Sequence, residues 1–290
     1  MTQLELFNTE HLKIPQKIVN IATVPQRSPF RYAGGKTWLI PQIRKWLSAV
    51  GGDNKELIEP FAGGGIVSLT AAFENLVGRV TMVEKDEGVA AVWQVILSGG
   101  AQWLAQKITD FNLTPETAKE VIESADQSLE SLAFATIVKN RVNRGGILAD
   151  GASFIKNGEN GKGITSRWYP ETLSKRIKSI DNIKTKINFI PGDGFAVCEQ
   201  NSARKDAIYF IDPPYFKTGR RLYRYSVVDH EALFRLASKL KGDFLMSYDN
   251  VEEINQMTNR YRFSLQHIAM KNTHHAQKTE LLIGQNLDWF

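Results

Sequence analysis

Seven short runs of apolar or alternating residues punctuate the chain: Glu56 to Glu59, Arg79 to Glu84, Ile187 to Ile190, Ala207 to Ile211, Asp243 to Tyr248, Phe263 to Met270 and Glu280 to Ile283. Each has strand length. The first two alternate with apolar residues of helical period at Thr37 to Val50, Ile66 to Phe73 and Glu87 to Leu97. Strands that alternate with helices predict an α/β fold built on a doubly wound parallel sheet. Ala207-Ile208-Tyr209-Phe210-Ile211 is apolar at every position, as a strand covered on both faces must be.

The alternation breaks between the second and third runs. Three helical stretches follow there, Trp103 to Phe111, Pro115 to Ala125 and Leu129 to Asn140, and then Gly145, Gly146, Gly151, Gly158, Gly161 and Gly163. That glycine-rich, polar stretch reads as a β-hairpin or a mobile loop. A further helix is predicted from Pro170 to Ile180. The pattern is an insertion in the sheet, which gives a layout of a lead at 1–28, a sheet domain at 29–100 and 185–290, and a mainly helical inserted domain at 101–184. No internal repeat or low-complexity tract is visible.

Composition narrows this picture in two places. A hydrophobic fraction of 42% is enough for a sizeable core, and the single cysteine, Cys198, excludes an internal disulfide and a cysteine-based zinc site. No run of 18 or more apolar residues occurs, and the first residues lack a basic-then-apolar signal, so a cytoplasmic protein without a membrane partner is expected. The net charge of +5 is unevenly spread. Between Val138 and Lys186 lie eleven Lys and Arg residues against four acids, and Lys217, Arg220, Arg221 and Arg224 form a second basic cluster without an acid among them. Such clusters are often only solvated faces, but two of them fit the electrostatic footprint of a nucleic-acid binder. Asn140, Arg141, Arg144, Lys156, Arg167, Arg220 and Arg221 are the candidate DNA contacts.

The fourth strand runs into Asp212-Pro213-Pro214-Tyr215. Open α/β sheets bind ligands beyond the carboxyl ends of their strands. Neither proline donates a backbone hydrogen bond, and Pro214 steers Pro213 away from helix. The tetrapeptide is thus a stiff corner presenting two acceptors, the Asp212 carboxylate and the Pro213 carbonyl, beside the flat ring of Tyr215. Those groups suit a planar ligand with an amino group, such as the edge of a nucleobase. A plain strand-ending turn is the competing reading.

The first strand ends in Glu59-Pro60-Phe61-Ala62-Gly63-Gly64-Gly65, and a helix begins at Ile66. Glycines at such a turn let a ligand approach the backbone and expose the helix amino end. Glu84 closes the second strand 19 residues beyond Gly65, the distance at which nucleotide-binding units place an acid on ribose hydroxyls. Gly63-x-Gly65-x-x-Ser68 also approaches the dinucleotide fingerprint, so a nicotinamide enzyme stays open here. Gly34-Gly35-Lys36-Thr37 is not a phosphate loop, because Phe30 stands where that loop needs its first glycine.

Together these residues resemble the Dam-like (D12 class) DNA adenine-N6 methyltransferases. Tyr32-Ala33-Gly34-Gly35-Lys36, Pro60-Phe61-Ala62-Gly63-Gly64-Gly65 and Asp212 to Tyr215 follow in that family's order, with an insertion before the last. Lys278-Thr279-Glu280-Leu281-Leu282-Ile283 is similar to its final strand. Tyr32 departs from the usual tryptophan, and Glu84 from the usual aspartate.

The resemblance implies a seven-stranded S-adenosylmethionine-dependent methyltransferase (Rossmann-like) sheet and S-adenosyl-L-methionine as cofactor. It implies Asp212, Pro213, Pro214 and Tyr215 as the catalytic corner, acting on an adenine flipped out of double-stranded DNA. Cofactor contacts would come from Tyr32, Lys36, Phe61, Gly63, Gly65, Glu84, Asp193, Phe195 and Asp212. Glu84 would take the ribose hydroxyls and Asp193 the cofactor's adenine amine, with Tyr32 and Lys36 near the methionine end. No metal is required, and His274-His275 reads as solvated loop. A monomer is expected, alone or beside a cognate restriction endonuclease. An RNA adenine methyltransferase, a protein amide methyltransferase and an inactive DNA-binding scaffold remain as alternatives. Asp rather than Asn at 212 disfavours the amide branch.

Overall fold

The computed structural model describes residues 23–32, 34–215, 224–225, 227–271 and 277–290. The lead before Thr23, Arg220, Arg221 and the His274-His275 pair lie outside them. After a 3-10 turn at Thr37–Leu39, helix α1 (Ile40–Ala49) leads into strand β1 (Glu56–Glu59), helix α2 (Ile66–Phe73), strand β2 (Arg79–Glu84) and helix α3 (Glu87–Val95). The insertion then supplies α4 (Ala101–Asp110), α5 (Pro115–Glu123), α6 (Leu129–Val142) and α7 (Pro170–Asp181). The chain returns through β3 (Ile187–Pro191), α8 (Gly194–Asn201), β4 (Ala207–Ile211), α9 (His230–Ala237), β5 (Phe244–Asp249), α10 (Glu252–Tyr261), β6 (Ser264–Lys271) and β7 (Gln277–Gly284).

The seven strands form one sheet in the order β3-β2-β1-β4-β5-β7-β6. The pairs β3-β2, β2-β1, β1-β4 and β4-β5 are parallel; β7 is antiparallel to both β5 and β6. This is the α/β doubly wound sheet expected from the pattern, with one reversed strand wedged near its edge. Chain order reverses between β1 and β4, and such a switch point opens a crevice at the carboxyl ends of the strands.

Strand periodicity divides the interior into two layers. Leu57, Ile208 and Phe210 face a core shared with α1, α2 and α3, while Ile58, Tyr209 and Ile211 face one shared with α8, α9 and α10. Helices α4, α6 and α7 are not a separate body: Leu104, Ile137, Val138, Ile177 and Ile180 join the same core as Val89, Trp93 and Ile96 of the sheet layer. Fully burying side chains of this size stabilises by roughly 1.5–3 kcal/mol each.

Of the two forms expected for the glycine-rich stretch, a β-hairpin or a mobile loop, the hairpin is not formed. The stretch holds short 3-10 turns at Arg144–Gly146, Glu159–Gly161 and Gly163–Arg167, and a single antiparallel bridge joins Asn143 to Phe154. With glycines at positive φ at 145, 146, 151, 158, 161 and 163, the chain turns too often to sustain a ladder.

Candidate active site at the sheet switch point

The loop after β1 and the corner after β4 meet across a cavity of about 620 Å³, within the size range of small-molecule sites. Glu59 to Ile66, Glu84, Asp193 to Phe195, Asp212 and Pro214 line it, together with Tyr32 and Gly34 to Thr37.

Gly63 and Gly65 have φ of 47° and 63°, and the helix α2 starts directly behind them. A side chain at 65 would meet the Met82 methyl at 2.6 Å. The Gly63 carbonyl accepts from the Trp93 indole at 2.9 Å, and its N–H donates to Glu84 Oε2 at 2.8 Å. Glu84 Oε1 accepts from the Asp86 amide at 2.8 Å. The Glu84 carboxylate is thus aimed by two backbone donors at the end of β2. Burial pushes its carboxyl up to about 7, against the pull of those amides.

Glu59, at the end of β1, carries a role that sequence reading missed. It is 3% exposed, lines the cavity, and accepts from the Ser68 amide at 3.0 Å. Gly65 has no side chain to cap α2, so Glu59 satisfies one of the free N–H groups of its first turn. Burial raises its carboxyl to about 8, with Asp212 and Glu84 adding like-charge repulsion. An acid directly before Pro60-Phe61 was the available signal.

At the corner, Asp212 is fixed through both oxygens. Ser247 of β5 donates to Oδ1 at 2.7 Å, and Lys36 Nζ stands 2.9 Å from Oδ2. Lys36 is 3% exposed and also donates to the Gly34 carbonyl at 2.7 Å. Lys36 lines the cavity, and its ammonium is held by the corner's own carboxylate. The same ammonium lies 4.8 Å from the Tyr215 ring centroid. The Tyr215 hydroxyl donates to Glu280 Oε2 of β7 at 2.7 Å, and its ring runs near-parallel to that of Tyr248, 6.3 Å away. Tyr215 and Pro213 are absent from the cavity wall, whereas Pro214 is part of it.

The other expected cofactor residues fall around the same cavity. Phe61 and Phe195 line it and meet edge to face at 6.1 Å. Asp193 caps α8 through the Phe195 amide at 2.8 Å and pairs with Lys85 at 3.1 Å. Burial raises its carboxyl, but Lys85 and the Phe195 and Ala196 amides outweigh that and hold it below its ordinary value. The Tyr32 ring packs against Gly63 and Gly64, where any added side chain would strike it.

The basic insertion corrects two of the expected DNA contacts. Asn140 is fully buried, accepting from the Arg31 amide at 2.9 Å and donating to the Arg31 and Gly146 carbonyls at 3.0 and 2.8 Å. Arg141, 4% exposed, donates to the Pro29 carbonyl. Both side chains clamp residues 29–31 to α6 and do not face solvent, so phosphates have no access to them. Gly146 belongs to the same clamp, since a Cβ there would collide with the Arg31 carbonyl. Arg144 and Lys156 are exposed, while Arg167 is half-buried and ion-paired to Glu159. Arg224 reaches Glu87 and Asp150 at 3.6 and 3.5 Å.

No helix among the described residues is long and apolar enough to cross a membrane. No curated protein matches the chain by sequence. Among solved structures it is similar to a Pyrococcus horikoshii protein provisionally described as an RNA methyltransferase, at 9% identity over 91% of this chain and 92% of that one, with a TM-score of 0.42. It is similar also to the B. subtilis tRNA methyltransferase TrmK, at 10% identity over 86% and 66% with a TM-score of 0.38. A third is the Streptomyces viridochromogenes rRNA methyltransferase aviRa, at 13% identity over 86% and 84% with a TM-score of 0.37. At such values these likenesses carry nothing about substrate. Residues 32–79, from Tyr32 through the glycine turn to the start of β2, match the family model of the D12 class N6 adenine-specific DNA methyltransferases, so over this segment the chain is similar to that family.

Proposed function

We propose that this methyltransferase transfers a methyl group from S-adenosyl-L-methionine to N6 of an adenine extruded from double-stranded DNA. The observation that carries the proposal is Asp212 on the cavity wall, fixed by Ser247 and Lys36 at the head of the Asp-Pro-Pro-Tyr corner. The cavity's chemistry fits the cofactor. Glu84 at the end of β2 suits its ribose hydroxyls, and Phe61 with Phe195 suits its purine. When bound, that cofactor supplies an electrophilic methyl on a sulfonium.

The residues would then divide the work. Glu84 accepts from the ribose hydroxyls, and Asp193 accepts from the purine amine. Asp212 and the Pro213 carbonyl take the two N6 hydrogens of the target adenine. That aligns the nitrogen lone pair, which is otherwise conjugated with the ring, toward the methyl. Positioning of this kind supplies several kcal/mol, up to roughly 7–11 in the best intramolecular cases. Extruding the base costs a few kcal/mol, which exposed cations such as Arg144 and Lys156 offset by holding the phosphates.

Incubation with duplex DNA and labelled methyl donor, followed by digestion to nucleosides, should yield N6-methyladenine. Asp212→Ala should abolish the label while leaving DNA retention in a shift assay largely intact. A variant with near wild-type turnover would remove Asp212 from the chemistry. Label on RNA alone would move the reading to an RNA substrate.

A further inference from the structure

Strand β7 reaches into the catalytic corner from the far side of the sheet. Because it runs antiparallel between β5 and β6, Glu280 comes into register with Asp249, one residue past the buried Tyr248. The Glu280 carboxylate is 9% exposed and receives the Tyr215 hydroxyl at 2.7 Å. The Tyr215 ring lies under the Lys36 ammonium, which in turn holds Asp212. Glu280, Tyr215, Lys36 and Asp212 form one connected chain of alternating charge and aromatic surface. Tyr248 backs it, anchored by its hydroxyl 3.0 Å from His230 Nδ1.

We propose that Glu280 is a positioning residue for methyl transfer, fixing the Tyr215 ring and, through it, the Lys36 ammonium that aligns Asp212. This rests on the adenine-transfer reading above. The buried Glu280 carboxylate accepts from the Tyr215 hydroxyl and so selects the orientation of the ring. With that acceptor removed, the ring loses one of the contacts that orient it beneath the Lys36 ammonium. The cost falls on the reacting geometry. Donor binding should change less than turnover, because Glu84 and Asp193 are held by backbone amides of other elements, at the end of β2 and the start of α8.

The test compares Glu280→Leu, which deletes the acceptor, with Glu280→Gln, whose amide oxygen still accepts from the tyrosine. Turnover, the KM for the methyl donor and thermal midpoints are measured together. Glu280→Leu should lose kcat by about tenfold or more, the factor expected for a buried hydroxyl left unpaired. The donor KM should hold within about twofold, and Glu280→Gln should retain at least about half of wild-type turnover. In a Tyr215→Phe background the Leu substitution should cause no further loss, because the hydroxyl through which it acts is gone.

Normal kcat in Glu280→Leu overturns the proposal, as does an equal added loss in the Tyr215→Phe background. An equal fall in Glu280→Gln and Glu280→Leu, with donor KM rising alike, shows a merely structural residue and also overturns it. A wild-type protein that methylates no adenine sinks the transfer reading itself, an outcome visible before any variant is made.

Discussion

At Glu59 two demands meet: the carboxylate caps the first turn of α2 through the Ser68 amide, and it does so in a cavity wall almost without solvent. Its carboxyl lies near 8, against an ordinary 4.5. Protonation therefore favours the folded state. The contribution is fully present below about pH 4.5 and is lost as the pH climbs through about 8. Glu84, raised to about 7, acts in the same direction. The ligand-free protein should lose stability from mildly acidic to alkaline conditions. Glu59→Gln, which keeps the acceptor for Ser68, should flatten part of that slope, leaving the variant more stable at alkaline pH by on the order of 2–4 kcal/mol. Denaturant melts across that range check it; parallel slopes for the two proteins would refute it. Asp212 and Glu84 were legible beforehand because their positions follow from strand ends. Ser247 and Glu280 were not, because their roles need the order of strands across the sheet, which no local pattern encodes.

At the scale of elements, the turn between β1 and α2 concentrates the constraint. Gly65 is left-handed and has a methyl group where its Cβ would go, so Gly65→Ala combines backbone strain with overpacking. Roughly 1–3 kcal/mol of stability should be lost, and affinity for the product S-adenosylhomocysteine should fall with it, as calorimetry would show. An alanine variant that melts and binds like the wild type would mean that the turn relaxes freely. The seven strands and most of the helices were readable from period and length, with ends shifted by up to three residues. Helices α8, α9 and α10 were not anticipated. Gly194–Asn201 opens from an Asp-Gly pair that reads as a turn, and Glu252–Tyr261 buries only Ile254, Met257 and Thr258. His230–Ala237 did carry a signal, since Asp229 caps it and Leu233, Phe234, Leu236 and Ala237 make an apolar face.

Across the whole molecule, positive charge sorts into two kinds of work. Arg141 spends its guanidinium inside, holding Pro29, and burial together with Arg176 and Arg31 pulls its ionisation down to about 9. Arg144 and Lys156 stand in solvent. Arg141→Leu should thus alter thermal stability while leaving the salt dependence of DNA binding unchanged. Replacing Arg144 and Lys156 should do the reverse, lowering the salt slope by about one for each phosphate no longer neutralised. Filter-binding titrations over a range of salt concentrations separate the two, and an unchanged slope in the exposed pair would place the nucleic acid elsewhere. Sequence counting could not make this division, because a cluster of cations looks the same whether it clamps carbonyls or faces water.

The reversed strand has a consequence for both core and corner. β6 touches the sheet only through β7, and β7 supplies the carboxylate beneath Tyr215. The same strand gives Leu281, Leu282 and Ile283 to the two layers of the interior. A single change that loosens β7 would therefore weaken the core and unbrace the Asp-Pro-Pro corner at one stroke.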